Sequence, residues 1–257
     1  MEILVCMKQV PDEGAEIKLD PQTGRPDLTE IDQKENAFDA YALELAVRYI
    51  ESHGGSISVT SVGSEADALC LRNGLSVGAQ KAYLIKEEKE EQEDADTVAE
   101  KIAKALPELE KQNGANYDLI LCGRESTDHI GGQVGAILAQ KLGYAYSSDI
   151  VEAEPLADGI KVKKELEEGH AFLEVKLPAV LSISKPDYDP RYPNVVKRIA
   201  SRKAEIPEIM AELSEKKVEY LSFSQPPKRH AGRKIQESAA ETAVEKAMQQ
   251  LIEDKVL

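Results

Sequence analysis

Apolar and polar positions along the chain alternate between a strand period and a helix period. Glu2–Lys8 is a short run of β-formers. Behind Asn36, a residue type suited to an N-cap, Phe38, Ala42, Leu45 and Tyr49 recur at helical spacing. Ser56–Val62 reads as a strand with Ser64 capping the helix after it, and Lys81–Ile85 as another strand. Val98, Ile102 and Leu106 mark the next helix, and Leu119–Cys122 the fourth strand. Val134, Ile137, Leu138 and Leu142 form a stripe that stops at Gly143, which suits a left-handed C-terminal turn. Apolar strands alternating with helices predict a mainly parallel sheet covered on both faces, a three-layer α/β/α domain of Rossmann-like type.

After Ser148 the rhythm changes. The stretch "IVEAEPLADGIKVKKELEEGHAFLEVKLPAVLSIS" holds short runs with turns at Ala157–Gly159 and Glu167–Gly169, which predicts added antiparallel strands. Beyond Arg202 the apolar density falls, and "SQPPKRHAGRK" (Ser224–Lys234) reads as an extended connector. A last helix is expected to start at Ser238, with Glu241 completing a capping box. Its stripe of Val244, Ala247, Met248 and Leu251 needs a surface, on its own domain or on another subunit. The expected division is an α/β domain over residues 1–203 and an extended C-terminal arm with a helix over 204–257.

Composition narrows the class. The chain has 257 residues, 42% hydrophobic and 31% charged, enough for one large core plus an appendage. No apolar run reaches the length of a membrane span, so membrane insertion is not expected. "MEILVCMKQVPD" carries an acidic residue at position 2 and too short an apolar stretch for a secretory signal, so a cytoplasmic location is expected. Cys6, Cys70 and Cys122 lie far apart with no CxxC, which predicts buried reduced thiols and no metal. The net charge of −15 repels phosphodiester backbones, so nucleic acid is not an expected partner. Much of that charge lies in "KEEKEEQEDAD" (Lys86–Asp96), expected as a solvated loop entering a helix N-terminus.

The candidate chemistry concentrates in "LILCGRESTDHIGGQVGAILA", where a buried strand hands over to a helix. In open α/β sheets, ligands sit beyond the strands' carboxyl ends, where helix N-termini present unpaired N–H groups. Gly123 falls at such an end, and Gly131, Gly132 and Gly135 would let the backbone approach a ligand. Ser126 and Thr127 suit phosphate or ribose oxygens, while Glu125 and Asp128 suit ribose hydroxyls or an adenine amino group. The alternative is a glycine-rich turn whose polar residues only cap the helix. The ends of the first two strands, Cys6–Met7 and Val62–Gly63, and the helix opening "ENAFDA" (Glu35–Ala40) should share the same edge. There is no GxxxxGK[ST], no GxGxxG opening the first strand–helix unit, and no nucleophile–histidine pairing to argue from spacing.

Several segments together resemble the β subunit of electron-transferring flavoproteins. "VCMKQVPDEG" is similar to that family's N-terminal strand and loop, "ENAFDAYALELAVRYIE" to its first helix, and "GRESTDHIGGQVGAILA" to its nucleotide loop. "VKKELEEGHAFLEVKLPAVLSIS" matches its signature segment, and "DPRYPNVVKRIASRKAEI" resembles its partner-recognition region. The resemblance spans essentially the whole chain and implies a fold like that of the adenine nucleotide alpha hydrolases. By position, the family's cofactor contacts fall on Cys6, on Asn36, Ala37, Phe38 and Asp39, and on Val62. In the loop they fall on Gly123, Arg124, Glu125, Ser126, Thr127, Asp128, Gly131, Gly132, Gln133, Val134 and Gly135. Glu165 matches a glutamate that pairs with an α-subunit arginine near its flavin, and the C-terminal arm would clasp that subunit.

The AMP-binding branch of the family carries a run of aspartates and then "NQTG"; here the loop reads "STDHIGGQVG". "QVG" is similar to flavin-bifurcating members, where FAD replaces AMP and NADH is oxidised beside it, and the short loop after Tyr192 resembles Fix-type and anaerobic branches. The resemblance thus implies FAD, with AMP as the alternative, and NAD(H) as substrate. Its implied partners are the α subunit, an acyl-CoA-type dehydrogenase, and ferredoxin or flavodoxin. The redox chemistry would then belong to the flavin, which accounts for the lack of a side-chain nucleophile or acid–base pair. Two other classes compete. A free-standing adenine-nucleotide hydrolase needs a serine- and glycine-rich loop after the first strand, where this chain has "KQVPDEG". A nucleotide-sensing or structural module has no evident use for the arm or for "DPRYP".

Overall fold

The computed structural model describes residues 1–87, 94–210, 216–227 and 231–256. Strand β1 (Glu2–Cys6) is followed by β2 (Gln9–Pro11), β3 (Lys18–Leu19), β4 (Pro26–Asp27) and β5 (Gln33–Glu35), which form two small ladders, β2 with β5 and β3 with β4. Helix α1 (Ala37–His53) then leads to β6 (Ser56–Gly63), α2 (Ala68–Val77) to β7 (Lys81–Lys86), and α3 (Ala95–Asn113) to β8 (Leu119–Gly123). Helix α4 (Val134–Leu142) leads to β9 (Ala145–Leu156), followed by β10 (Gly159–Leu166), β11 (Gly169–Val175) and β12 (Ala179–Ile183). Helix α5 (Val195–Ser201), β13 (Glu208–Met210) and α6 (Ala240–Glu253) complete the order. Residues 88–93 of the acidic run lie outside the described residues; at its end Asp94 caps α3, but from a buried position and not from the solvated loop that was expected.

The main sheet runs β11-β10-β9-β12-β8-β1-β6-β7-β13. From β9 to β13 every neighbouring pair is parallel, while β9, β10 and β11 are joined as antiparallel hairpins. Ile3, Val5, Leu119 and Leu121 face a core shared with α1 and α2, and Leu4 and Ile120 face a second core shared with α3 and α4. Both faces are covered, so these strands must be apolar at every position rather than at alternate ones.

Three details differ from the sequence expectation. The run "AVLSI", expected among antiparallel strands, is β12, and it inserts in parallel between β9 and β8. Residues beyond 203 do not all leave the domain: β13 pairs with β7, and the compact unit extends to Leu221. A three-residue edge strand carries too little periodic signal to read from sequence. In the second unit, Ser222–Leu257, α6 starts at Ala240 with Ala239 at its N-cap and no side-chain capping bond, so the box at Ser238 does not form. The stripe residues Val244, Met248 and Leu251 are exposed. No helix of the described residues is long and apolar enough to cross a membrane.

The two neighbours of β1 are reached by opposite routes. The chain leaves β1 through α1 toward β6, and leaves β8 through α4 on the other face. A crevice opens where α1 and α4 diverge, at the carboxyl ends of β1 and β8. Helix α4 seats on the sheet at Gly135. A Cβ there would lie 2.5 Å from Ser182 Oγ and 3.4 Å from Tyr146 Cε2, and those two side chains hydrogen-bond each other at 3.0 Å. Gly135, expected to admit a ligand, serves helix-on-sheet packing.

Gly135→Val should therefore overpack this contact and cost about 1–3 kcal/mol. The loss will read as a lower urea midpoint at unchanged slope. A wild-type midpoint would mean that α4 is not seated on β12 at this residue.

Candidate functional site

The crevice encloses a cavity of about 360 Å³. Its floor is made by the strand ends, with Cys6, Met7 and Lys8 following β1, Thr60, Ser61 and Val62 on β6, and Cys122 and Gly123 on β8. Arg124, Glu125, Ser126, His129 and Gly131–Val134 line it from the loop before α4, and Val98 and Ile102 from α3. Asn36 and Asp39 contribute from the start of α1, and Val218 and Tyr220 from the segment after β13.

Helix α1 is the clamp that sets these strand ends. Asp39 is buried, and its carboxylate accepts the Lys8 N–H at 2.8 Å and the Gly123 N–H at 2.9 Å, joining the end of β1 to the end of β8. Gly123 has to be glycine for this approach, because a Cβ would stand 2.4 Å from Asp39 Oδ1 and 2.7 Å from Phe38 Cβ. Asn36 sits at the N-cap position but does not cap. Its Nδ2 donates to Glu125 O at 2.8 Å, and its Oδ1 accepts the Thr127 N–H at 3.2 Å. A residue read from sequence as a cap thus holds the loop after β8.

The loop carries its charges in pairs. Lys8 Nζ lies 2.6 Å from Asp128 Oδ2, tying the β1 end to the loop. Burial opposes ionisation of Asp128, but Lys8 and Ser126 outweigh it and hold the carboxyl below its usual range. Arg124 pairs with Glu125 at 2.8 Å and packs over the Phe38 ring, 4.8 Å from its centroid. Burial, with Lys8 nearby, pushes the His129 imidazole below its ordinary value, so it is neutral near pH 7. The Cys6 thiol and burial together hold the Cys122 thiol well above its usual range, protonated and unreactive. Among the described residues, no group of three or more His, Cys, Asp or Glu is placed to hold a metal ion.

What the site offers a ligand is mostly neutral hydrogen bonding beside apolar walls. Among the described residues, Thr60 Oγ1 in the cavity wall and Thr127 Oγ1 outside it are buried without a hydrogen-bond partner, an arrangement that costs free energy unless something else supplies the partner. The N-terminus of α4 opens onto the cavity, where Gly132, at φ 59°, turns the backbone in the left-handed region that favours glycine. Val62, Val98, Ile102 and Val134 give an apolar surface that fits a planar base. An adenine nucleotide, with a flat ring, ribose hydroxyls and phosphate oxygens, matches this donor set.

Of the residues expected at the site, Cys6, Asn36, Asp39, Val62, Gly123, Arg124, Glu125, Ser126, Gly131, Gly132, Gln133 and Val134 line the cavity together. Ala37, Phe38, Thr127, Asp128 and Gly135 do not. Phe38 supports Arg124, Asp128 is engaged by Lys8, and Gly135 packs on the sheet. Glu165 lies at the exposed end of β10, where its carboxylate accepts from Ser184 Oγ at 3.0 Å. Sequence reading missed Lys8, Thr60, Ser61, Asp94, Ala95, Val98, Ile102, Val218 and Tyr220. The consecutive hydroxyls of Thr60 and Ser61, which break the alternation of serine with Ile or Val near the carboxyl end of β6, were a usable signal; Tyr220 left none.

Outside the cavity, "DPRYP" is fixed by Arg191, whose guanidinium bonds Glu44 of α1 at 2.8 Å and Glu51 at 2.6 Å. Glu44 is nearly inaccessible, and Arg191 and Arg48 overcome the effect of its burial to keep its carboxyl below the usual range. This anchor leads directly into α5, which presents Val195, Val196 and Ile199 to solvent.

A sequence model described as "Electron transfer flavoprotein domain" matches residues 28–214. The β subunit of electron transfer flavoprotein from Megasphaera elsdenii is 30% identical over the full length of both chains. The corresponding β subunit from Thermoanaerobacterium thermosaccharolyticum is 33% identical over 76% of this chain and 72% of the relative. Subunit CarD of the caffeyl-CoA reductase–Etf complex from Acetobacterium woodii is 33% identical over the same shares, 76% and 72%.

The clamp has a pH signature. Burial pushes the Asp39 carboxyl from 3.8 up to about 7, against the opposing pull of the Lys8 N–H, the Asn36 side chain and the Gly123 N–H. The folded protein then keeps a proton that the unfolded chain has released. This contribution to stability is full below about pH 4, falls as pH rises toward about 7, and is level above that. Asp39→Asn should abolish the slope and leave one backbone N–H without its acceptor, at a cost of about 1–3 kcal/mol. Urea titrations across that window measure both, and a wild-type slope in the variant would assign the pH dependence to other groups.

Proposed function

The chain belongs to the electron transfer flavoprotein family as a β-type subunit, which makes it an electron-transfer protein that works with an α-type partner, and we propose that its cavity binds FAD for electron bifurcation. FAD, when bound, would supply the acceptor for a hydride from NADH and the donor of single electrons along two routes. One route leads to ferredoxin or flavodoxin, and the other, through the α-type subunit's FAD, to an acyl-CoA-type dehydrogenase. The A. woodii relative, named as part of a caffeyl-CoA reductase complex, supports the last of these.

The chain's own residues bind, orient and exclude water. The open N–H groups at the start of α4 and the Ser126 hydroxyl would hold the phosphate oxygens. The Thr60 hydroxyl, in the cavity wall, would bond ribose or base, and Val62, Val98 and Ile102 would exclude water from the ring. The observation that carries FAD over AMP is Val134. It lines the cavity where the AMP-binding branch has a threonine, and a valine offers no hydroxyl to the terminal phosphate of a monoester. A second reading, AMP as a structural ligand in a simple single-electron carrier, is favoured by the cavity's size. About 360 Å³ lies near the lower end of ligand sites, about 300–1,000 Å³.

The outer surfaces would serve assembly. In this reading Glu165 meets the α-type subunit near its flavin, and the arm, with the exposed stripe of α6, clasps that subunit. Helix α5, presented by the Arg191 anchor, would meet the dehydrogenase.

The test is the nucleotide content of the purified heterodimer, followed by anaerobic mixing with NADH. Two flavins per pair, bleached by NADH, are expected. One flavin with one AMP, inert to NADH, would replace bifurcation with the AMP reading, and a heterodimer without any β-site nucleotide would remove both.

A further inference from the structure

Asp94 uses its two carboxylate oxygens on two different elements. Oδ1 accepts the Thr97 N–H at 2.8 Å and caps α3, while Oδ2 accepts the Lys217 and Val218 N–H groups at 2.6 and 3.0 Å. An ionised carboxylate is acceptor-only and can serve all three donors at once. Burial works against its ionisation, but the three N–H donors hold the carboxyl below its usual range. Residues 216–220 belong to no helix or strand, so these bonds set where that segment runs.

The consequence appears in the cavity wall. Val218 and Tyr220 line the cavity, and Tyr220 meets His129 of the nucleotide loop edge to face, with ring centroids 6.1 Å apart and its hydroxyl 3.3 Å from Nδ1. The neutral imidazole and the phenol therefore form one aromatic edge. It joins residues 91 positions apart in the chain, at the rim where Tyr220 is 41% exposed. The other residues assigned to the site come from strand ends, helix starts and the loop before α4, and His129 is the one that meets Tyr220 at this rim.

We propose that Tyr220 contacts the bound nucleotide, its ring packing against the ring system of an adenine nucleotide, and that Asp94 is the positioning residue that holds it there. This rests on the reading of the cavity as an adenine-nucleotide site. An aromatic ring at the rim adds dispersion contact and excludes water from the base, so it should act mainly on the rate at which the nucleotide leaves.

The experiment uses the full-length heterodimer, stripped of nucleotide and reloaded with radiolabelled AMP, which carries the adenine end common to both candidate ligands. Release is followed after adding excess unlabelled AMP. Tyr220→Ala should speed release roughly tenfold, the loss expected for one base–aromatic contact, and Tyr220→Phe should stay within about twofold of wild type. Asp94→Asn keeps one acceptor oxygen for the α3 cap but turns an amide NH₂ toward the Lys217 and Val218 donors. Lys217 and Val218 are exposed, so their freed N–H groups can turn to water; the variant should release AMP nearly as fast as Tyr220→Ala, at a melting temperature close to wild type. Wild-type release from Tyr220→Ala would overturn the inference alone, leaving the Tyr220–His129 contact as packing. If wild type takes up FAD but not AMP, release of FAD followed by its fluorescence replaces the AMP readout with the same expected outcomes; a wild-type heterodimer that takes up neither would remove the nucleotide reading and this inference with it.

Discussion

One buried carboxylate holds the functional end of this protein together. Asp39 accepts backbone N–H groups from the residues that follow or end two adjacent parallel strands, β1 and β8, and it does so from the first turn of the helix between them. Parallel strands splay at their carboxyl ends, where the ladder stops and the chain turns toward opposite faces. A short acceptor with two oxygens can bridge that gap only if nothing stands between, and Gly123 leaves it clear. Asn36, one turn earlier, extends the same clamp to Glu125 and Thr127. The position of the loop therefore follows from the position of α1, and the cavity's shape follows from both.

The price of this arrangement is a set of polar groups facing no protein partner. Among the described residues Thr60 keeps a buried hydroxyl unpaired in the cavity wall, and the start of α4, whose first N–H groups no helix turn can pair, lines the same cavity. A fold optimised only for stability would pair or remove them. The charged groups nearby are neutralised among themselves, Lys8 with Asp128 and Arg124 with Glu125, so they orient the loop without dominating the cavity. The result is a mostly uncharged pocket in a protein of net charge −15. Such a pocket can hold a large anionic cofactor through hydrogen bonds and apolar contact. The protein's surface charge and its exposed segments, α5 and α6, are left for interactions with other chains.

The sequence by itself determined the class of fold and the strand edge at which the cavity opens. Apolar runs such as "EILVC" and "LILCG" separated by amphipathic helices can be buried on both faces only within a parallel sheet, and a glycine- and hydroxyl-rich loop at such a strand end marks the ligand edge. Both readings rest on local periodicity and on the fixed geometry of βαβ units, which nearby residues encode. Tertiary structure decided the rest. Asn36 has the chemistry of a helix cap, and only the arrival of the β8 loop made it a loop clamp. Gly135 looks like its neighbours Gly131 and Gly132, and only the seating of α4 on Ser182 gave it a packing role. The parallel insertion of β12 and the edge pairing of β13 depend on which strand each finds after long excursions. Tyr220 reaches His129 only because Asp94 fixes an irregular segment beside the cavity. Contacts between residues distant in the chain leave no period in the sequence, so no local pattern could have announced them.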